Sequence, residues 1–168
     1  ALLSLVMPMS AARAESLDRV VQAELRPGWR LPDGTHMAAL HLRLSPGWKT
    51  YWRSPGDAGI PPLFRWQGSN GVSVIWPTPK VFYQAGMRSV GYEGGVVLPL
   101  RVRLDDPSAD ARLAGTVELG VCKDICVPVT LSLSQDLPHG ETRRDPQIVS
   151  ALASRPATAQ EAGVTDVS

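Results

Sequence analysis

Long runs of any one character are what this sequence lacks. No stretch of about twenty apolar residues occurs, which excludes a bilayer-spanning helix of the usual length. Lysine and arginine are scattered and the formal net charge is +1, so no basic stripe offers itself to a nucleic acid. The Gly-x-Ser-x-Gly elbow of many serine hydrolases is missing. Histidines number three, and no second Cys-x-x-Cys or His-x-x-x-His accompanies the cysteines, too little for a closed zinc site. Internal repeats are absent, and helical periodicity is confined to one short segment. Cysteine is scarcest of all, with two residues among 168.

What is present is turn chemistry and alternation. Fifteen glycines and fifteen prolines divide a chain that is 43% hydrophobic, long enough for one domain with a real core. Residues 20–25 read as a first strand ended by Arg26-Pro27-Gly28, and residues 35–44 alternate, with Ala38, Leu40, Leu42 and Leu44 inward and Met37, Ala39, His41 and Arg43 outward. Residues 48–52 are aromatic and short. The proline- and glycine-rich stretch 54–62 is expected as an ordered loop on a sheet edge. Residues 63–66 and 72–76 look like the two arms of a hairpin, while residues 80–86 read as an irregular loop holding Phe82 and Tyr83. A short strand over 87–92 and the clearest strand of the chain, 96–104, follow. Asp145-Pro146 supplies an N-cap and a first-turn proline for a helix up to Ala153, and residues 156–168 read as a linker-like tail. Seven to nine short strands with one helix predict an all-β sandwich.

The two cysteines lie between two such strands. Val117, Leu119 and Val121 share one face on the way in, and Val127, Val129, Leu131 and Leu133 share one on the way out. Cys122 and Cys126 therefore fall on the opposite, non-core side, facing each other across the three-residue loop Lys123-Asp124-Ile125 at a separation that a disulfide spans. Closing so short a loop stabilises a fold by only about 2 kcal/mol in the chain-entropy model. A disulfide in that place suits exchange with another protein's thiols, which depends on access to the attacked sulfur. A purely structural disulfide remains open, since Lys123 favours a thiolate and Asp124 opposes it.

Residues 1–9 are mostly apolar and lead into Ser10-Ala11-Ala12-Arg13-Ala14, whose Ala12-x-Ala14 ending matches a signal-peptidase site. We expect residues 1–14 to be a signal peptide lacking its first residues, 15–140 the domain, and 141–168 a short helix with its tail. Export delivers the chain to a compartment where disulfides persist and thiol exchange operates.

Several stretches together resemble a known family. Gly47-Trp48-Lys49-Thr50-Tyr51-Trp52-Arg53 with Pro55-Gly56, then Phe82-Tyr83, then Gly91-Tyr92-Glu93-Gly94, and finally Cys122-x-x-x-Cys126-Val127-Pro128 are similar to the N-terminal periplasmic domain of the thiol:disulfide interchange protein DsbD. They look closest to the variant in proteins like the copper-sensitivity suppressor ScsB. The resemblance covers residues 20–133 and implies an immunoglobulin-like β-sandwich with a two-cysteine redox hairpin. It implies a periplasmic protein-disulfide reductase without a cofactor, taking electrons from a membrane-embedded donor domain and passing them to oxidised thioredoxin-fold proteins. Cytochrome c biogenesis and copper tolerance are the settings it brings. By the same resemblance Cys126 forms the mixed disulfide with the target and Cys122 resolves it. Phe82 and Tyr83 fill the place of the aromatic cap loop, and Lys123, Asp124, Ile125 and Pro128 flank the pair where a partner docks. The best-known members space their cysteines more widely and carry acidic residues before the cap aromatic, where this chain has Lys80-Val81.

Two other functions compete. The first is a binding module, a sandwich with a structural disulfide and exposed aromatics, which predicts a poorly reducible bond. The second is a copper-binding domain using Cys122, Cys126, His36, His41, His139, Met37 and Met87. His36 and His41 are five apart and fall on opposite faces of a regular strand, and the histidines are expected at the surface or in turns, so no metal site is assigned.

Overall fold

The computed structural model describes residues 19–163; the expected signal peptide lies outside the described residues. Those residues form ten strands and one helix: β1 (Val21–Arg30), β2 (His36–Leu44), β3 (Lys49–Gly56), β4 (Leu63–Gln67), β5 (Gly71–Val74), β6 (Lys80–Gln84), β7 (Met87–Glu93), β8 (Gly95–Arg103), β9 (Ala111–Cys122), β10 (Cys126–Leu137) and α1 (Pro146–Ala153). One sheet has the order β1-β2-β8-β5, and the other the order β10-β9-β3-β7-β6 with β4 beside β9. Every pairing is antiparallel. The result is a two-sheet sandwich, as alternation and turn spacing predict, and it is immunoglobulin-like, as the family resemblance implies.

The period-two pattern builds the core. Ala38, Leu40, Leu42, Leu98, Leu100 and Val102 face inward from the first sheet and meet Leu113, Val117, Leu119, Val121 and Val129 from the second. Ten or so such side chains, each worth roughly 1.5–3 kcal/mol when fully buried, dominate the folding energy.

Four elements differ from the sequence expectation. First, β1 does not end at Arg26-Pro27-Gly28 but continues to Arg30 through a bulge between Arg26 and Trp29. Gly28 takes φ +62 there, and a Cβ at that position would lie 1.7 Å from the Met37 carbonyl oxygen, so a sequence that reads as a turn is a kink. Second, β4 and β5 are not arms of one hairpin. β4 joins β9 in one sheet and β5 joins β8 in the other, so the connection crosses the sandwich; loop length alone does not distinguish the two arrangements. Third, residues 80–84 are strand β6, paired with β7 through a two-residue turn in which Ala85 (φ 50) and Gly86 (φ 78) both have positive φ. An alanine in the left-handed region is uncommon, which hid the turn. Fourth, Met37 and Ala39 point out of the first sheet, as expected, yet are buried, because α1 covers that face with Ile148.

The helix is tied down at both ends. The Asp145 carboxylate accepts from the amides of Gln147 (2.9 Å) and Ile148 and also from Arg26 Nε of β1 at 2.8 Å. Burial pushes the Asp145 carboxyl upward, but the Arg26 bond and those two amides outweigh it and leave it below its ordinary range. At the other end the Thr78 amide and hydroxyl both donate to the Ser154 carbonyl.

Candidate active site

The disulfide links Cys122, the last residue of β9, to Cys126, the first of β10, with Cα atoms 4.1 Å apart. They are direct cross-strand partners, and the intervening loop is held by the Lys123 amide donating to the Ile125 carbonyl at 3.0 Å. Lys49 of β3 stands opposite Cys122 and Glu93 of β7 opposite Lys49. Cys126, Cys122, Lys49 and Glu93 thus form one row across four strands, on the face of the sheet that turns away from the core.

That face is not uniformly accessible. Cys126 is exposed, whereas Cys122 is 3% exposed. The sequence places both sulfurs on the outer side, and so they are, but it gives no warning that one is covered. Residues 57–62, between β3 and β4, lie over the sheet face rather than along an edge. Ile60 packs where a Cβ on Gly120 would come within 2.7 Å of it, and Gly59 sits against the Tyr51 ring. On the other flank, Phe82 of β6 turns toward β3, with Lys49 Nζ 5.1 Å from its ring centroid.

Two polar contacts join this cover to the pair. The Tyr51 hydroxyl lies 4.0 Å from Cys126 Sγ, and burial pushes its pKa upward, so it stays protonated and able to donate. At the end of β6, Gln84 Nε2 donates to the Lys123 carbonyl at 3.2 Å, clasping the β6–β7 hairpin to the cysteine loop. The Lys123 stem runs along Gly47, where a Cβ would meet its Cε at 3.0 Å. Asp124, Ile125 and Pro128 are exposed, Ile125 at 67%.

Of the sequence candidates, the structure brings Cys122, Cys126, Lys123, Asp124, Ile125, Pro128 and Phe82 to one end of the second sheet. Tyr83 belongs to the same hairpin but pairs with Arg88 on its opposite face and is 76% exposed. Sequence reasoning missed Tyr51, Ile60, Gln84 and Gly120. Tyr51 and Lys49 lie in the Gly47–Arg53 stretch and could have been found there; nothing in the sequence marks Ile60.

The metal candidates do not gather. His36, expected at the surface, is fully buried, with Nδ1 accepting from Arg30 Nε at 3.1 Å and Nε2 2.6 Å from the Pro27 carbonyl. Met37 is under the helix, and His41 reaches Glu24. Among the described residues no three His, Cys, Asp or Glu are placed to hold a metal ion, and no helix is long and apolar enough to cross a membrane.

Comparison with known proteins agrees with this geometry. The crystal structure of the N-terminal periplasmic domain of ScsB from Proteus mirabilis aligns with a TM-score of 0.62 and 31% identity, covering 82% of this chain and 53% of that one. The chain thus spans about half of that structure's length. The reduced DsbD N-terminal domain of Neisseria meningitidis aligns at 14% identity and a TM-score of 0.38, over 74% of this chain and 87% of that one, too distant to carry an argument. A search of curated proteins returned no match. The chain is similar to a periplasmic domain, and its cysteine pair is consistent with thiol:disulfide interchange. The family model described as thiol:disulfide interchange protein DsbD, N-terminal, matches residues 15–138, and the chain belongs to that family.

Proposed function

We propose that this domain carries electrons in the periplasm from a membrane-embedded donor domain to oxidised thioredoxin-fold proteins, through reversible opening of the Cys122–Cys126 bond. The observation that carries the reading is the unequal burial of the two sulfurs: only Cys126 offers a surface that another protein's disulfide can approach. In the reduced domain the Cys126 thiolate attacks the target disulfide, forms a mixed disulfide and releases one target thiolate. Cys122 then attacks Cys126 Sγ, the intramolecular bond reforms, and the second target sulfur leaves with its electron pair and takes up a proton. The target gains two electrons and the domain loses two, which the donor restores.

Phe82 shields the pair and Tyr83, on the outer face of the same hairpin, is offered to the partner with Ile125, Lys123, Asp124 and Pro128. Export by the N-terminal segment completes the picture, with a role in copper tolerance or cytochrome c biogenesis set by the partner.

The test combines a potential with two variants. A reduction potential of roughly −180 to −270 mV, read by counting free thiols in glutathione buffers, is expected of an exchange protein. Cys122→Ser should trap a mixed disulfide on Cys126, and Cys126→Ser should trap none. A potential well below about −300 mV marks a structural bond and hands the domain to the binding-module reading.

A further inference from the structure

The row Cys126–Cys122–Lys49–Glu93 sets Lys49 directly opposite Cys122, the cysteine that reaches no partner. Directly opposed residues on antiparallel strands have Cβ atoms about 4.5–5.5 Å apart, so Lys49 is the nearest cross-strand neighbour of Cys122 other than Cys126 itself. Glu93 stands on the far side of Lys49 in the same row, yet the Lys49 ammonium rests over the Phe82 ring instead of pairing with that carboxylate. The group is thereby held beneath the cover. Cys126 has a different neighbour, the Tyr51 hydroxyl. Each cysteine thus has its own polar neighbour, Lys49 across the ladder from Cys122 and Tyr51 beside Cys126.

We propose that Lys49 is a positioning residue for the resolving step: its ammonium stabilises the thiolate of Cys122 once Cys126 is tied up in a mixed disulfide. This rests on the thiol-exchange reading above. In that intermediate Cys122 is a free thiol in a poorly solvated place, and burial alone disfavours the thiolate that must attack. A cation beside it acts in the opposite sense and is less screened than one in open water. Cys122 gives up its proton to solvent, attacks Cys126 Sγ, and the target sulfur departs with the electron pair of the broken bond. Lys80 and Val81 precede Phe82 on β6, so that strand contributes no carboxylate there that would counter the effect.

The experiment follows the reduced full chain reacting with glutathione disulfide, with quenched samples weighed by mass spectrometry to separate dithiol, glutathionylated and disulfide forms. Lys49→Met keeps the length of the stem and removes the charge. Capture of glutathione on Cys126 should be as fast as in the wild type or faster, because the ring loses its cation. Resolution should slow by about tenfold at pH 7, the equivalent of one unit in the thiol's titration, so that the glutathionylated form accumulates. Raising the pH should restore the rate, and Lys49→Arg should retain it. Equal resolution rates and superimposable pH profiles for the wild type and Lys49→Met would overturn the inference while leaving the exchange function intact. A wild type that never reacts with glutathione disulfide overturns both.

Discussion

The two ends of the β9–β10 hairpin are built on opposite principles. At the end formed by Ala111 and Leu137, a buried arginine is surrounded by partners. Arg30 donates to His36 Nδ1, to the Pro107 carbonyl, and to the carbonyls of Ala109 (3.2 Å) and Leu137 (3.4 Å), while His36 passes on to Pro27. At the other end, on the order of 35 Å away at about 3.3 Å per residue, the surroundings of the disulfide are sparser: Ile60 packs against Gly120, Lys49 rests over Phe82, and Gln84 gives one side-chain hydrogen bond to the Lys123 carbonyl. The first end joins β1, β2, the β8–β9 connection and β10 by groups that cannot be removed singly without leaving others unpaired. The second is closed by contacts that can be lifted one at a time. One hairpin therefore has a densely bonded root and a sparsely bonded tip.

The sharpest way to break this contrast is at Arg30. Replacement by Met leaves three carbonyls and a histidine nitrogen without their donor, and should cost about 3–5 kcal/mol, a value in the range for breaking a buried charged network. In a domain of this size that is a fall in Tm of roughly 10 °C, read by calorimetry, with the thiol potential unchanged. A shifted potential would mean that the two ends are coupled.

Reducing the disulfide is the matching perturbation at the tip. The short loop predicts a loss of only about 2 kcal/mol, measurable by urea unfolding with and without dithiothreitol. A larger loss would place the tip among the structural elements.

Acid offers a third and smaller comparison. Burial, together with the neighbouring Arg30 charge, holds the His36 pKa below its ordinary value, although the bond to Pro27 works in the other direction. The unfolded chain therefore takes up the proton first. Stability is complete above the ordinary histidine pKa and is lost as pH falls below it, until the folded protein itself protonates. The same sign applies to Asp145 at lower pH, where protonation releases Arg26 and the helix cap. His36→Gln, whose amide can still accept from Arg30 and donate to Pro27, should flatten the unfolding midpoint between pH 7.5 and 5.5. A slope that persists would assign the acid sensitivity elsewhere.

The smallest effect on stability, and a clear one on access, belongs to Gly120→Ala. The new methyl displaces Ile60, so alkylation of the reduced Cys122 should quicken several-fold while the unfolding midpoint moves by about 1 kcal/mol or less. Unchanged alkylation would remove Ile60 from the cover.

Alternation made most of the fold legible. Strands β2, β8, β9 and β10 follow directly from it, as does the outward direction of both cysteines, while the helix begun by Asp145-Pro146 follows from its capping residues. What escaped has a common physical cause: it depends on which surfaces meet after the strands have formed. His36 looks like any polar residue at a strand start, and only the bulge at Gly28 that swings Arg30 inward turns it into a core residue. Met37 reads as exposed until α1, more than a hundred residues later, lies over it. The packing of Ile60 on the sheet near Cys122 needs Gly120, whose missing side chain is visible in the sequence but whose partner is not. Tyr51 and Lys49 were visible as part of an aromatic stretch, but their places next to the two cysteines appear only once β3 pairs with β9.

The 4.1 Å spacing of Cys122 and Cys126 matches a pair that exchanges no backbone hydrogen bonds. Alternation along the ladder then gives Pro128, paired with Gly120, the same character, so its nitrogen points away from β9 toward the open side of β10. β10 is the edge of its sheet. An edge next to an exposed sulfur is where a second molecule could add a strand and lock two copies together in a growing ladder. Proline has no hydrogen to give at that point. The edge beside the exposed cysteine thus offers a second copy an interrupted ladder.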